Sequence, residues 1–452
     1  MPNSFLSYLN DRNNWTHPRH TLPRLNWERL TQARNGRLGT PGNNDFLEFV
    51  GDRIVNLMCA LFVAETSFSP DQQVPTFNLK IVGRLVTNNS TLGRLAYQLH
   101  LEEFAELDDS EAQKVADWNT QAPWPPPKVL ADLFEAHIGA VYEEYGWDFT
   151  KDWLSTLLRP LIEKANEDYL KNALAPPRYP YQWTYVTHER LTSPTIEVRF
   201  YDFLESRATS LASTAEPTLL LLPKDTKFIF GVYGDILIDS GTVEIAAHLV
   251  KFWVCEICMT LYPHNRDALY RAPHLISSIT LLVTNAWTFG YLGSILKLAS
   301  HFDPKDPDFS IHGNLLKSSS TRNFDNDNRN GTLRGKLAQA LYAIIGWFYL
   351  QDNKLAEQWG IRWLIPLVVR AYDLIAQKPG FKPTFPYGVD ETNPYIRVLV
   401  EMGRGPEVPL VTTQDELEEY LTAIVLGGKE TRGRVFLTRE DAKRIFNRRQ
   451  SL

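Results

Sequence analysis

Apolar residues recur three and four positions apart over most of this chain, the spacing of helices with one buried face. Phe46, Leu47, Phe49 and Val50 make one such face, Leu85–Ala96 carries a second, and Val129, Leu130, Leu133 and Phe134 a third. Polar and proline-rich breaks separate them. Trp118–Pro127 leads into the third helix, because proline presets the entry of a helix but cannot continue one. Ala175–Tyr181 ends a long helix, and the helical pattern returns in Leu281–Gly293 and Leu337–Tyr349. Phe228–Ile238 reads as extended, and Ser318–Gly331, dense in Ser, Asn, Asp and Arg, as a mobile loop. Beyond residue 388 the texture changes. Asn393–Met402 reads as a helix, Glu419–Leu426 and Arg434–Leu437 as strands about a Gly427-Gly428 turn, and Thr438 with Asp441 as the cap of a last helix.

Two carboxylate pairs interrupt the apolar faces. Glu48 and Asp52 stand at i,i+4, and Asp132 and Glu135 at i,i+3, so each pair shares one helix face. Acids on an apolar face are costly unless a cation compensates them. Packed together, the two helices would gather four carboxylates whose repulsion raises their pKa values unless a divalent metal holds them ionised. Oxygen-only ligands select Mg2+ or Mn2+ over zinc.

Asn44–Val55 resembles the signature helix of the ribonuclease III family, commonly N-E-R-L-E-F-L-G-D-A-V-L, and Lys128–Tyr142 is similar to the family's second acidic helix. Leu85–Ala96 between them resembles the middle helix of the L-V-S-N-x-x-L-A type. The resemblance implies a mainly helical fold, double-stranded RNA as substrate, and Glu48, Asp52, Asp132 and Glu135 as Mg2+ ligands, Mn2+ being the substitute. The metal would activate water for in-line attack on a phosphodiester, leaving a 5′-phosphate and a 3′-hydroxyl. Asp45 falls where the family usually has another glutamate, and would orient a metal-bound group. Lys128 would neutralise phosphate, or simply be a solvated lysine at the helix start.

Family domains work in pairs, and this chain reads as carrying its own partner. Leu281–Gly293 echoes the middle block and Leu337–Tyr349 the second acidic helix, with Gln339 at the Asp132 position and Tyr342 at the Glu135 position. For the first acidic helix of this copy the candidates are Gly231–Asp235 and Val243–His248. Glu48 precedes Asn88 by 40 residues and Glu244 precedes Asn285 by 41, which favours Glu244 and His248. Either choice leaves the copy without at least two ligands.

The expected organisation is therefore a polar, poorly ordered N-terminal segment at 1–20, a catalytic ribonuclease III domain at 21–168 and a linker at 169–195. A degenerate copy at 196–378 would form an intramolecular pseudo-dimer with the first. A small α+β domain at 388–452, of order α-β-β-β-α, is similar to a double-stranded-RNA-binding domain. Its Arg439, Lys443 and Arg444 partly match the basic cluster that meets phosphates, but Glu440 and Asp441 stand where lysines are usual, so degenerate packing is the equal alternative. The function implied is a single-site endoribonuclease for RNA processing. The alternative is a non-catalytic RNA-binding or mitochondrial ribosomal large-subunit protein on the same scaffold. A further protein partner, pairing with the active copy, is a third reading.

Composition adds limits. A net charge of −6 is low for an RNA binder, so basic residues must be segregated or binding shared with a partner. Apolar content of 44% fits packed domains. No apolar run reaches the roughly 18 residues of a membrane helix, so no membrane partner is expected. Three cysteines suggest a reducing compartment. An intracellular setting, nucleus or cytoplasm, is expected, with a mitochondrial address as alternative because the N-terminus is mildly basic. Cys255-Glu-Ile-Cys258 sits among apolar residues and reads as helix core rather than a zinc or redox motif.

Overall fold

The computed structural model describes residues 3–37, 40, 42–67, 77–121, 124–171, 194–208, 210–211, 240–261, 272–298, 328–376, 422 and 425–426. Every regular element among them is helical, and their one extended pairing is a bridge between Asn35 and Glu106. They fall into two compact units, one within Met1–Pro180, the other spanning most of Tyr181–Pro263 and His274–Leu426.

The first unit contains α1 (Asn3–Asn10), α2 (Trp27–Arg34), α3 (Asp45–Ser67), α4 (Phe77–Thr87), α5 (Asn89–Gln98), α6 (Asp109–Asp117) and α7 (Lys128–Lys171). The long α7 is its mast, and α1 to α5 all pack against it. Leu47, Ile54, Val86, Leu95, Leu130 and Phe134 are fully buried in that core. The mast breaks at Gly146, where φ is 79°, a conformation that glycine adopts without the Cβ penalty. Two further glycines set how closely α3 and α7 cross. A Cβ on Gly51 would collide with the carbonyl of Glu135, and one on Gly139 with that of Leu47.

The turn between α4 and α5 comes from Leu85-Val-Thr-Asn-Asn-Ser-Thr. The Asn88 side chain accepts from Thr91 N at 3.0 Å and donates to the Leu85 carbonyl, while Thr91 Oγ1 donates to that carbonyl at 2.6 Å. Such a cap closes one helix and opens the next, and is worth about 1 kcal/mol.

The N-terminal segment differs from the disorder expected of it. Phe5 and Leu9, at i,i+4 on α1, are fully buried, and Trp15 Nε1 donates to the Leu9 carbonyl at 3.0 Å. Average polarity over residues 1–20 hides the apolar anchors of α1, which packs on α5 and α7, and Trp15 closing against it.

The second unit contains α8 (Pro194–Ser206), α9 (Ser240–Leu261), α10 (Ala272–Thr284), α11 (Ala286–Ile295), α12 (Asn328–Gln351) and α13 (Asn353–Ala376). Its cap at Asn285 has the geometry of Asn88: it accepts from Thr288 N at 2.7 Å, and Thr288 Oγ1 donates to Leu282 O at 2.8 Å. Where α7 breaks at Gly146, α12 ends and α13 begins at Asp352, whose carboxylate accepts from Leu355 N. Pro160 lies inside α7 and Pro366 inside α13. Cys255 and Cys258 are buried in α9 as free thiols. Among the described residues, Pro273–Ile295 is long and apolar enough to cross a membrane. It is two helices parted at the Asn285 cap, and 56% of its window is buried, which is the behaviour of core.

The expected extended stretch 228–238 lies outside the described residues, as do Arg439, Lys443 and Arg444. The end of the predicted 318–331 loop, Asn328–Gly331, is the first turn of α12. Within the predicted strand Glu419–Leu426, the described Thr422, Val425 and Leu426 are helical. Leu421 and Val425 stand at i,i+4, so this short apolar run also satisfies a helical period.

Candidate metal centre

The crossing of α3 and α7 assembles the acids. Glu48 projects from α3, and Asp132 and Glu135 from the first two turns of α7. Ligand oxygens of these three lie within 4.8 Å of one another. Glu135 is 6% exposed, and the glycine contacts explain this depth, because the Gly51 backbone rests directly on the Glu135 backbone.

The electrostatics follow from burial first. Desolvation, then the charges of Asp52, Asp132 and Glu48, push the Glu135 carboxyl up to about 9, against a smaller opposing pull from Lys128. Glu48 is raised to about 6 by desolvation and by Asp132. Asp132 is raised by desolvation, with Lys128 pulling the other way. Lys128 Nζ lies 3.2 Å from Glu48 Oε1 and also bonds Asp132 Oδ1, bridging the two helices. Its own pKa rises to about 12, the carboxylates outweighing desolvation.

Of the residues named from sequence, Glu48, Asp132, Glu135 and Lys128 meet here. Asp52 is not in the tight group of three; its carboxylate accepts from Asn56 Nδ2 at 2.8 Å while still raising Glu135. Asp45, at the start of α3, acts through space, raising both Glu48 and Asp132. Sequence reading missed the glycine crossing and Asn56, although the glycine inside F-V-G-D was a signal, since glycine in a helix interior is unfavourable without a packing reason. A second group, His100, Glu102 and Glu103, is more open, and the Arg12 guanidinium engages the His100 ring there.

The donor set is three carboxylates with an ammonium standing where positive charge is demanded. Hard divalent cations bind such oxygens, and one here would relieve the strain on Glu135. Residues 45–146, which hold every one of these groups, match the family profile of the Ribonuclease III domain. This segment is a ribonuclease III domain. The chain is 30% identical over 147 residues to Ribonuclease 3 of Nitrosococcus oceani, covering 32% of this chain and 58% of that protein. It is 32% identical over 132 residues to Ribonuclease 3 of Streptomyces coelicolor, covering 29% and 43% respectively. The chain thus spans about half the length of the curated relatives it matches.

The second unit has a crossing of its own, between α9 and α12. A Cβ on Gly346 would collide with the Thr242 carbonyl, as one on Gly139 of the ribonuclease III domain would with that of Leu47. Setting Gly346 level with Gly139 places Gln339 and Tyr342 at the levels of Asp132 and Glu135. The same contact sets Thr242 level with Leu47, and therefore Val243, not Glu244, level with Glu48. The glycine contact and the count from Asn285 thus differ by one residue. Glu244 instead faces His248 at 3.7 Å on its own helix. Tyr342 donates to the Thr284 carbonyl at 2.7 Å and stacks on Phe289 at 4.3 Å.

Proposed function

We propose that this chain is an Mg2+-dependent endoribonuclease, with Mn2+ as a substitute ion, hydrolysing double-stranded RNA to 5′-phosphate and 3′-hydroxyl ends. Its single active site is formed by Glu48, Asp52, Asp132 and Glu135. The observation that carries this reading is the convergence of Glu48, Asp132 and Glu135 within 4.8 Å inside the ribonuclease III domain. Four carboxylates at one helix crossing have no packing value, and their full ionisation is favoured only with a cation bound among them.

When bound, the metal supplies Lewis acidity and a water acidic enough to yield hydroxide near neutral pH. The chain's residues do the rest. Glu48 and Asp132 offer oxygens from two helices, and Asn56 fixes the Asp52 carboxylate in its rotamer. Glu135 sheds its proton on metal binding, and its burial excludes bulk water from that side. Lys128, 62% exposed and tied to both Glu48 and Asp132, would be available to an incoming phosphate with a metal held by those acids. Asp45 adds negative charge without joining the ligand set.

The second unit is proposed as a silent copy that pairs with the first inside one chain. Support comes from the matched Asn88 and Asn285 caps, the matched glycine crossings and the matched prolines. Val243, Ala247, Gln339 and Tyr342 then stand at the four ligand levels, and none is anionic at neutral pH.

The deciding assay is cleavage of a long RNA duplex with and without Mg2+. Cleavage is expected only with the ion, and is expected to be lost in Glu135→Gln and Asp52→Asn with melting temperatures preserved. Full activity in either variant would refute the ligand set.

A further inference from the structure

A buried guanidinium ties the loop before the acidic helix to the rest of the domain. Arg94 on α5 is 1% exposed. It donates to the carbonyls of Thr120 at 2.8 Å and Trp124 at 2.6 Å, and to Asn10 Oδ1 at 3.0 Å. Its cation lies 5.2 Å from the Trp118 ring centre. Two residues on, Pro126 presses against Gly93, where an added Cβ would meet it at 2.8 Å. The Pro127 carbonyl then accepts from Leu130 N in the first turn of α7. The Trp124-Pro-Pro-Pro segment is thus fastened at both ends.

On this fastened segment the Trp124 side chain is 71% exposed. Indole is large and apolar and usually covered. Here the backbone beneath it is pinned while the ring is left in solvent. Trp124 is four residues from Lys128, so their Cα atoms are at most about 14 Å apart. The indole therefore lies within a few nucleotides of any phosphate that Lys128 meets. Bases inside a duplex are stacked on each other and closed to an indole. An unpaired base is open to stacking on an aromatic ring.

We propose that Trp124 is a substrate-contacting residue, a platform for a nucleotide left unpaired within a few nucleotides of the phosphate that Lys128 meets. The platform selects RNA duplexes interrupted by a bulge or mismatch over perfectly paired ones. This rests on the reading of the acid cluster as an RNA-cleaving centre, but its test is a binding ratio and does not require turnover.

The experiment measures the affinity of the full chain carrying Glu135→Gln, in Mg2+ at one fixed salt concentration. The two RNAs are a paired duplex and the same duplex with one unpaired nucleotide. Preference for the interrupted duplex is expected, falling roughly 10-fold or more on Trp124→Ala, the scale of one base–aromatic stack. Trp124→Phe retains most of it. An unchanged ratio in Trp124→Ala, or an equal loss for both RNAs, overturns the proposal. A wild-type chain that binds interrupted RNA selectively but cuts nothing would instead sink the catalytic reading and leave the platform standing.

Discussion

Glu135 concentrates the tension of this site in one carboxyl. Its pKa is pushed up to about 9 by burial and by Asp52, Asp132 and Glu48, so at neutral pH and without metal it holds a proton. An unfolded chain releases that proton near pH 4.3. Between these values the folded state binds more protons than the unfolded one, so stability falls as pH rises. The contribution of Glu135 is therefore fully present below the unfolded pKa and lost as pH passes through about 9. Glu48, raised to about 6, acts in the same direction over a narrower window. The expected outcome is a metal-free melting temperature that declines from pH 5 to pH 9, with Mg2+ stabilising more at pH 8 than at pH 5. Glu135→Gln should flatten the metal-free profile. A profile equally steep in that variant would show that another group carries the slope.

At the scale of elements, the crossing of α3 and α7 matters more than either helix alone. Helical wheels put Glu48, Asp52, Asp132 and Glu135 on the right faces, because i,i+3 and i,i+4 spacing is local information. The wheels cannot show the depth at which the faces meet. That depth is set by Gly51 and Gly139, whose missing side chains let backbone rest on backbone. The sequence reading ran one helix through Leu85–Ala96 and another through Leu281–Gly293, whereas the caps at Asn88 and Asn285 divide both. What escaped the sequence was long-range: α1 docking through Phe5 and Leu9, and Arg94 reaching from α5 to Trp124. Gly51→Ala tests the crossing. The added methyl meets a backbone carbonyl, which cannot rotate away, so a loss of about 3 kcal/mol or more in unfolding free energy is expected. Any folded residue of the population should bind Mg2+ poorly. Gly83→Ala, where a Cβ meets nothing within 4 Å, is the control, expected to be neutral or slightly stabilising. Equal tolerance at both positions would mean that α3 and α7 do not touch as described.

For the whole molecule, the proposed single centre bears on how many strands would be cut per encounter. The four ligand levels of the first unit hold Glu48, Asp52, Asp132 and Glu135, and those proposed for the second hold Val243, Ala247, Gln339 and Tyr342. Tyr342 could not be exchanged for an acid without cost: its hydroxyl is spent on the Thr284 carbonyl and its ring on Phe289. In the second unit that place holds a hydrogen-bonded, ring-stacked tyrosine. An enzyme with one live centre cuts one strand, and the opposite strand waits for a second binding event. In a single-turnover reaction with a labelled duplex, the first product is therefore expected to run intact on a native gel and cut on a denaturing gel. Double-strand breaks should follow with a lag that shortens as enzyme concentration rises. Glu244→Ala should leave the nicking rate unchanged, because that carboxylate pairs with His248 on its own helix and belongs to no proposed ligand set. Two-strand cleavage without a lag, at a rate independent of enzyme concentration, would require a second centre within the same chain. A lag-free reaction whose rate climbs with chain concentration would mean that two chains pair through their active units. The −6 net charge makes the salt dependence informative here. Rebinding is the step that draws on scattered basic residues, so raising the salt should lengthen the lag more than it slows the first nick.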